Sequence, residues 1–366
     1  MKILHITKFS NRNYGGIESL TSSICNNLPK KYSIDICSFS KNKIKKILVK
    51  KNYNIKNIIF PTNFNLFSTP ISFKMFFFLR ERIKDYKIIH LYLPNPWAII
   101  IVLLLKKKFQ KIIVSWGSDI INQKFLKFFF IHFQNKILEK ASNIIILSKK
   151  YSNYSTDLKK FQKKLILIPP LIKNVKNIYK VNNAKIKILA IGRLVSYKNY
   201  KILIKSMLLL PKKFELNIIG NGPLYFDLKK DIAHYRLSKR VKIHHNINEL
   251  SKIKFLKKSQ IFCMSSNTRA ESFGISLLEA INYSLPVIVS NVKGSGMNDM
   301  LINNVNGFKF KNNDYKDIAK KIITISKNKK KLILFSKNSK KIFNENFNFL
   351  DSKKKLLMLY LSLNNK

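Results

Sequence analysis

Residues 186–194 read IKILAIGRL, a mostly apolar run that stops at a glycine followed by an arginine. Continuous rather than alternating apolar character indicates a strand buried on both faces of a parallel sheet. A polar loop directly after such a strand falls at the carboxyl edge of the sheet, where parallel α/β folds bind their ligands. The stretch therefore predicts a parallel α/β fold with a ligand-binding edge near Arg193.

The same pattern recurs on both sides of this stretch, because other short Ile- and Val-rich runs are separated by longer amphipathic segments. We predict strands at residues 2–7, 33–39, 87–91, 111–115, 143–147, 186–191, 214–219, 241–244, 260–264 and 286–290. Repeated strand–helix units indicate sheets wrapped by helices. The expected fold is α/β, with two Rossmann-like, doubly wound domains that face each other across a cleft.

The length of 366 residues also favours two domains, since it exceeds what one hydrophobic core usually serves. The periodicity pauses after Pro169 and Pro170, in a stretch rich in Lys and Asn. We predict a first domain at 1–170, a linker at 171–185, a second domain at 186–345 and a C-terminal helix at 346–366 that is able to pack back on the first domain.

The chain is strongly basic, with 70 Lys and Arg against 18 Asp and Glu and a formal net charge of +52. Such a charge attracts phosphate-bearing partners, including nucleic acid, anionic lipid and nucleotides. The lysines are spread over the whole chain among many Asn, Ile and Phe residues, which is typical of an AT-rich coding sequence. A nucleic-acid-binding protein would show clustered basic residues with stacking aromatics, and no such module is found. No specific nucleic-acid partner is expected.

Three cysteines without metal-ligand spacing predict free thiols in a reducing compartment. The N-terminal residues predict a strand and not a signal peptide, and the apolar run at 97–105 is too short to span a bilayer. Lysine-flanked aromatic segments lie at 64–78 and 125–133, which either pack in the core or insert shallowly into an anionic membrane surface. We expect a cytoplasmic protein, peripheral on the inner face of the cell membrane.

Three short motifs carry the candidate chemistry. Gly15 and Gly16 open a helix after the first strand, where backbone amides approach a phosphate or simply form a tight turn. Arg193 and Lys198 follow the strand at 186–191 and form either a clamp for a diphosphate or a chance pair in a lysine-rich chain.

The third motif is a pair of glutamates, Glu271 in a loop and Glu279 in the helix behind it, with seven residues between them. Acidic residues are scarce in this chain, so the pair demands an explanation. A carboxylate in the loop is suited to meet a sugar, and one in the helix is suited to accept ribose hydroxyls. The alternative is a helix-dipole charge followed by a solvated glutamate.

In order and spacing these motifs resemble those of family 4 retaining glycosyltransferases of the GT-B fold, over nearly the whole chain. The Glu271 to Glu279 motif is the most specific part of the resemblance. Two further matches are the Gly-Asn-Gly-Pro segment at 220–223 and the Asn-Gly-Phe segment at 306–308.

The resemblance implies transfer of a sugar from a nucleotide-sugar donor, UDP- or GDP-linked, that serves as substrate and not as cofactor. Arg193 and Lys198 would neutralise the diphosphate, Glu271 would contact the sugar, and Glu279 would hold the ribose. The remaining donor-binding residues implied are Gly15, Gly16, Asn221, Gly222, Phe273, Gly274 and Ile275. No Asp-x-Asp pair occurs near a strand end of the first domain, so a metal-free reaction is expected. The implied acceptor is a lipid-linked glycan in cell-surface polysaccharide or lipopolysaccharide biosynthesis.

One motif departs from the family. Many relatives carry His-Gly-x-Asp after a strand of the first domain, whereas this chain has Trp116-Gly-Ser-Asp119. Asp119 remains a candidate catalytic residue, with Asp85, His90 or backbone carbonyls as alternatives, and Trp116 either stacks on a sugar ring or lies in the core. A nucleotide-sugar epimerase or phosphorylase of similar architecture, a basic nucleic-acid-binding protein and an inactive relative are the alternative functions.

Overall fold

The computed structural model describes residues 1–9, 15–40, 42–66, 69–120, 124–176, 179 and 185–364, without the side chains of 124–129. The strands are β1 (Lys2–Phe9), β2 (Ser33–Phe39), β3 (Leu48–Asn52), β4 (Ile55–Phe60), β5 (Phe64–Leu66), β6 (Thr69–Ile71), β7 (Ile88–Leu93), β8 (Lys111–Trp116), β9 (Asn143–Ile146), β10 (Leu165–Leu167), β11 (Ile186–Ile191), β12 (Phe214–Ile219), β13 (Val241–His244), β14 (Ile261–Met264), β15 (Val287–Ser290) and β16 (Gly307–Phe310).

The helices are α1 (Gly16–Asn27), α2 (Phe73–Arg82), α3 (Pro96–Leu105), α4 (Lys124–Lys140), α5 (Lys149–Tyr154), α6 (Tyr200–Ser206), α7 (Tyr225–His234), α8 (Glu249–Lys258), α9 (Ile275–Asn282), α10 (Tyr315–Ser326), α11 (Lys329–Asn346) and α12 (Phe349–Asn364). The chain forms two compact units. Unit 1 comprises Met1–Leu171 with Phe349–Lys366, and unit 2 comprises Ile172–Asn348.

Unit 1 is built on an eight-stranded sheet in the order β10-β9-β8-β7-β1-β2-β4-β3. All neighbouring strands are parallel except β3, which pairs antiparallel with β4. Strand β1 is buried along most of its length, because helices cover both faces of a sheet wound outward from its centre. The α/β, Rossmann-like architecture predicted for this unit is confirmed.

A group of buried polar side chains interrupts the apolar core of unit 1, and we call it the histidine cluster: His5, His90, Tyr92, Ser115 and Tyr360. His5 Nδ1 lies 3.0 Å from Tyr92 Oη, and His90 Nδ1 lies 2.6 Å from Tyr360 Oη. His90 Nε2 lies 2.8 Å from Ser115 Oγ. Since Tyr360 comes from α12, this cluster ties the C-terminal helix to the sheet of unit 1.

Unit 2 has a six-stranded parallel sheet in the order β13-β12-β11-β14-β15-β16, which also winds outward from its centre. In the stretch between the two sheets, unit 2 begins at Ile172, and Val175 and Tyr179 pack on it. Tyr179 Oη donates a hydrogen bond to the Gln260 carbonyl at 2.7 Å, and the Val175 amide donates to Asn282 Oδ1 at 3.2 Å. Residues 177–178 and 180–184 of the predicted linker lie outside the described residues.

Candidate active site

The carboxyl ends of β11, β12 and β14 meet at one edge of the unit 2 sheet, because these strands are neighbours and parallel. The loop after β11 carries Arg193 and Lys198, and the loop after β14 carries Glu271. The Asn267 amide donates to the Tyr197 carbonyl at 2.8 Å, which joins the two loops. Three of the predicted catalytic residues therefore lie on adjacent loops of one edge.

Lys198 and Glu271 form a buried ion pair, and each residue is only 8% exposed. Burial by itself would lower the pKa of Lys198, but the Glu271 carboxylate outweighs it, so the pKa lies above its ordinary value and the amine stays charged. Ser266 Oγ donates to the same carboxylate oxygen, Glu271 Oε2, at 2.9 Å. The sequence predicted both charged residues but not their contact.

Three serines hold the backbone around this pair. Ser265 Oγ donates to the Lys198 carbonyl at 2.8 Å, and Ser295 Oγ donates to the Glu271 carbonyl at 2.6 Å. Ser290 Oγ donates to the Ser266 carbonyl. These residues were missed from the sequence, where the only signal is that Ser265 and Ser266 directly follow a buried strand.

The side chain of Arg193 is exposed, whereas that of Lys198 is buried. Burial raises the pKa of Tyr197, and the nearby charge of Glu271 raises it further. Lys198 and Arg193 act in the opposite direction and lower that pKa. The edge thus presents one buried, paired cation and one solvent-facing cation. An exposed guanidinium on a loop is suited to reach a phosphate group by a bidentate contact.

The loop after β12 packs tightly on the loop after β11. A Cβ atom at Gly220 would lie 1.9 Å from the Gly192 carbonyl oxygen, and one at Gly222 would lie 2.4 Å from the Leu194 carbonyl oxygen. Only glycine permits this approach. The side chain of Asn221 accepts a hydrogen bond from the Asn246 amide at 2.9 Å, so it braces the loop after β13.

Three of the implied donor-binding residues, Phe273, Gly274 and Ile275, lie at the start of α9. Gly274 is its N-cap and has a φ of +91°, a left-handed conformation that favours glycine. The backbone amides of Phe273, Gly274 and Ile275 have no acceptor within the described part of the chain. Unsatisfied amides at the positive end of a helix can bind a phosphate or a hydroxyl oxygen.

Glu279 lies on α9, and its Oε1 receives a hydrogen bond from Lys252 Nζ at 2.8 Å. Lys252 also contacts Glu249 Oε1 at 2.8 Å, and both of these residues belong to α8. Burial raises the pKa of Glu279, while Lys252 opposes that rise. Lys252 was not singled out from the sequence, because lysine is too common in this chain to stand out.

The predicted glycine motif of unit 1 lies at the start of α1, where Gly15 is the N-cap. The buried side chain of Glu18 folds back over it, since a Cβ built on Gly15 would lie 2.1 Å from Glu18 Oε2. A carboxylate here is stabilised by the helix dipole. The expected approach of a phosphate to Gly15 and Gly16 therefore meets a negative charge, and residues 10–14 of this loop lie outside the described residues.

Three residues of unit 1 hold Asp119 in place by hydrogen bonds. Its carboxylate Oδ1 accepts hydrogen bonds from Ser155 Oγ at 2.6 Å and from Trp116 Nε1 at 3.2 Å, while its amide donates to Tyr151 Oη at 2.6 Å. Trp116 is 3% exposed and belongs to the core of unit 1. Of the two alternatives for Trp116, the structure therefore supports core packing rather than stacking on a sugar.

Neither of the two side-chain alternatives to Asp119 is supported. His90 is fully buried in the histidine cluster, which does not favour the alternative that it contacts a substrate. Asp85 precedes β7 and lies 3.7 Å from Lys2 Nζ, near the amino end of β1, so it belongs to the edge opposite the carboxyl ends of these strands.

Within the described ranges, no group of three or more His, Cys, Asp and Glu side chains is arranged to hold a metal ion. None of the helices in those ranges is both long and apolar enough to cross a membrane. Cys25, Cys37 and Cys263 are free and buried, and burial raises the pKa of each thiol. A buried neutral thiol is unsuited to nucleophilic chemistry.

Comparison with known proteins yields matches over most of the chain. The family model "Glycosyl transferases group 1" matches residues 172–342, and the model "Glycosyl transferase 4-like" matches residues 13–148. The chain is 25% identical to the O-antigen chain mannosyltransferase C of Escherichia coli, over 86% of this chain and 85% of the relative. It is 24% identical to the D-rhamnosyltransferase WbpZ of Pseudomonas aeruginosa, over 81% of this chain and 79% of the relative.

Among solved structures, HepE from Anabaena, crystallised with UDP and glucose, superposes with a TM-score of 0.79. The match covers 99% of this chain and all of HepE at 16% identity, and so it concerns the fold alone. The two family models, each aligned with one Rossmann-like unit, and the full-length relatives agree with one another. The chain therefore belongs to the group 1 glycosyltransferases and has the GT-B fold.

Proposed function

We propose that this glycosyltransferase is a retaining, metal-independent enzyme. It moves a sugar from a UDP- or GDP-linked donor to a lipid-linked glycan in cell-surface polysaccharide or lipopolysaccharide biosynthesis. The observation that carries the proposal is the buried Lys198–Glu271 pair beside exposed Arg193, at the carboxyl edge of a parallel sheet. Two relatives are an O-antigen mannosyltransferase and a D-rhamnosyltransferase, which supports the pathway class, and the UDP bound to HepE supports a nucleotide donor.

The proposed chemistry follows from charge. Transfer breaks the bond between the sugar C1 and the diphosphate oxygen, forms a bond from C1 to the acceptor oxygen and passes the proton of the acceptor hydroxyl to the leaving diphosphate. Negative charge grows on the diphosphate as the first bond breaks. Arg193 and Lys198 are fixed cations that stabilise this charge, and the free amides of Phe273 to Ile275 add hydrogen bonds. Glu271, held by Ser266, presents its carboxylate to the sugar.

Glu279 is proposed to accept the ribose hydroxyls, while Asn221 and Gly222 shape the loop beside the nucleotide. In unit 1, Asp119, Gly15 and Gly16 are proposed to contact the donor sugar or the acceptor. The occupied carboxylate of Asp119 favours a role in shaping its loop over proton transfer. No general base is assigned.

The donor is tested by a thermal-shift panel with UDP, GDP and their sugar conjugates, because a ligand that binds only the folded state raises the melting temperature. The same panel is run on Arg193→Met. One nucleotide should stabilise the wild type, and the variant should lose most of that shift. Absence of a shift with every nucleotide would contradict the proposed donor class, and NMR of the product showing an inverted anomer would contradict retention.

The proposed membrane location has a structural basis in unit 1. Phe64, Leu66, Phe73 and Phe77, on β5 and α2, are 48–56% exposed, whereas Met75 on the other face of α2 is fully buried. Residues 36–80 contain nine Lys and Arg and no Asp or Glu. Exposed aromatic side chains within a purely cationic segment fit an anionic lipid surface, at about 1 kcal/mol for each lysine near it.

In the second predicted segment, the side chains of 125–129 lie outside the described residues, Phe130 is buried and Phe133 is 42% exposed. Cosedimentation with anionic liposomes at low and high salt tests the surface. The double variant Phe73→Ser with Phe77→Ser should release the protein, while Phe226→Ser, at a phenylalanine of unit 2 that is even more exposed (72%), should not. No binding by the wild type at low salt would contradict the location and leave the transferase activity standing.

A further inference from the structure

Lys252 lies between two carboxylates of unit 2. Its ammonium contacts Glu279 Oε1 of α9 and Glu249 Oε1 of α8, both at 2.8 Å. The side chain of Lys252 is 18% exposed and that of Glu279 is 19% exposed, whereas that of Glu249 is 53% exposed. The contact with Glu279 is therefore the shielded one, and shielding from water strengthens it.

The other oxygen of Glu279 is left available. Glu279 Oε2 accepts no hydrogen bond from any described residue, and Lys252 engages only Oε1. Two neighbouring hydroxyl groups of a ligand can therefore bind this carboxylate without displacing the lysine, since each carboxylate oxygen accepts two hydrogen bonds.

Helix α8, which carries Lys252, is linked to the edge of the sheet that carries the candidate site. Helix α8 begins directly after the loop that follows β13, and that loop is tied through Asn246 to Asn221 in the loop after β12. The N-cap of α8 is fixed as well, because Asn248 accepts a hydrogen bond from the Ser251 amide at 2.8 Å. Lys252 is thus held on a rigid element and not on a mobile loop.

Resting on the proposed function, we propose that Lys252 is a positioning residue of the donor site. It fixes the Glu279 carboxylate, in its ionised form, so that this group accepts both hydroxyls of the donor ribose. Without the ammonium, a half-buried carboxylate loses its only hydrogen-bond donor within the described residues and either rotates or takes up a proton. Recognition of the ribose then fails while the contacts with the diphosphate persist.

Calorimetric titration with paired ligands tests this role. UDP and GDP are each compared with their 2′,3′-dideoxy analogues, which keep the base and the diphosphate. Wild type should bind the ribose form of its nucleotide about ten- to hundredfold more tightly than the dideoxy form, because hydrogen bonds to a carboxylate are strong. In Lys252→Met this ratio should fall to about threefold or less, with dideoxy affinity unchanged.

Two matched variants complete the design. Lys252→Arg should restore the ratio, because it returns a cation to Glu279, and Glu249→Gln should keep it, because Glu249 contacts only the lysine.

Unchanged dideoxy affinity shows that Lys252→Met is folded. The inference is overturned if the wild type binds the ribose and dideoxy nucleotides equally, or if Lys252→Met keeps the wild-type ratio. In either case, nucleotide binding itself still supports the proposed function. Absence of all nucleotide binding overturns the proposed function and the inference with it.

Discussion

The two units bury polar groups in opposite ways. In unit 2 the buried pair is ionic, formed by Lys198 and Glu271 at the carboxyl edge of the sheet. In unit 1 the histidine cluster is neutral and lies in the core. Burial lowers the pKa of His5 to about 3 and also lowers that of His90. Lys198 keeps its charge under similar burial because a carboxylate faces it.

The difference indicates why each group is present. A neutral hydrogen-bonded cluster stabilises the fold and fixes α12 through Tyr360. A buried ion pair gains little stability, since desolvation of both ions offsets their attraction and apolar residues of similar size often do as well. The burial of the Lys198–Glu271 pair therefore supports the proposal that its charges act on a charged ligand, since stability alone does not account for them.

The strongest test of this difference between the two units is Glu271→Gln, which removes the negative charge of the side chain and keeps its shape. Lys198 is then buried without its counter-ion, so the free energy of unfolding should fall by about 3–5 kcal/mol. Transfer should fall at least about a hundredfold, because the carboxylate proposed to face the sugar is lost. Urea denaturation and turnover measurements check both expectations.

The control for Glu271→Gln is the exposed pair of Lys185 and Glu215, whose nitrogen and oxygen are also 2.8 Å apart. Glu215→Gln should change the free energy of unfolding by less than about 1 kcal/mol, as is usual for exposed pairs. An equal, small loss in both variants would show that the Lys198–Glu271 pair is not shielded.

The second prediction replaces the whole pair, as Lys198→Met with Glu271→Leu. With neither charge left in the site, most of the stability lost in Glu271→Gln should return, because no buried ion is unpaired. Transfer should remain absent. Recovery of the free energy of unfolding without recovery of turnover, measured by the same two assays, would show that the pair is needed for transfer and not for stability. Recovery of both would contradict a role in transfer.

The sequence predicted ten of the strands, all of which pair parallel with their neighbours, and missed β3, β4, β5, β6, β10 and β16. Strands β2, β11, β12 and β13 have the predicted bounds. Strand β3 was missed, because it is exposed, rich in lysine and defined by its antiparallel pairing with β4. The edge strands β10 and β16, of three and four residues, were also missed, although the four-residue edge strand β13 was predicted. Tertiary pairing, and not local composition, creates these strands.

The candidate site shows the same limit. Glu271, Arg193 and Lys198 were predicted from residue type and spacing, but the Lys198–Glu271 contact joins residues 73 apart in sequence. The place of His90 in the histidine cluster was not predicted, because Tyr360, its partner, lies 270 residues away on α12. Roles that depend on a distant partner have no local signature.

The third prediction concerns acid. His5 has a pKa of about 3 in the folded chain and an ordinary value of 6.5, so between these values the unfolded chain binds more protons. Stability is then fully present above pH 6.5 and is lost as the pH falls toward 3, by on the order of 4 kcal/mol for His5 alone.

Urea midpoints at pH 7.5, 6.5, 5.5 and 5.0 measure this loss before most carboxylates titrate. His5→Gln should flatten the dependence, whereas His245→Gln, at an exposed position, should leave it unchanged. A midpoint that stays constant from pH 7.5 to 5.0 in the wild type would show that the histidines are not held neutral.

The smallest expected effect tests the neutral side of the comparison, by Tyr360→Phe. The hydroxyl of Tyr360 is fully buried and lies 2.6 Å from His90 Nδ1, so its removal leaves one ring nitrogen without a partner. The free energy of unfolding should fall by about 1–2 kcal/mol, less than for the buried ion pair, because an unsatisfied neutral group costs less than an unpaired charge. Turnover should stay near that of the wild type, since within the described residues the hydrogen bond and ring contacts of Tyr360 are made to His5 and His90 of the histidine cluster. Tyr53→Phe, at a position 84% exposed, serves as the matched control and should leave stability unchanged. A loss as large as that in Glu271→Gln would erase the distinction between the two kinds of buried polar group.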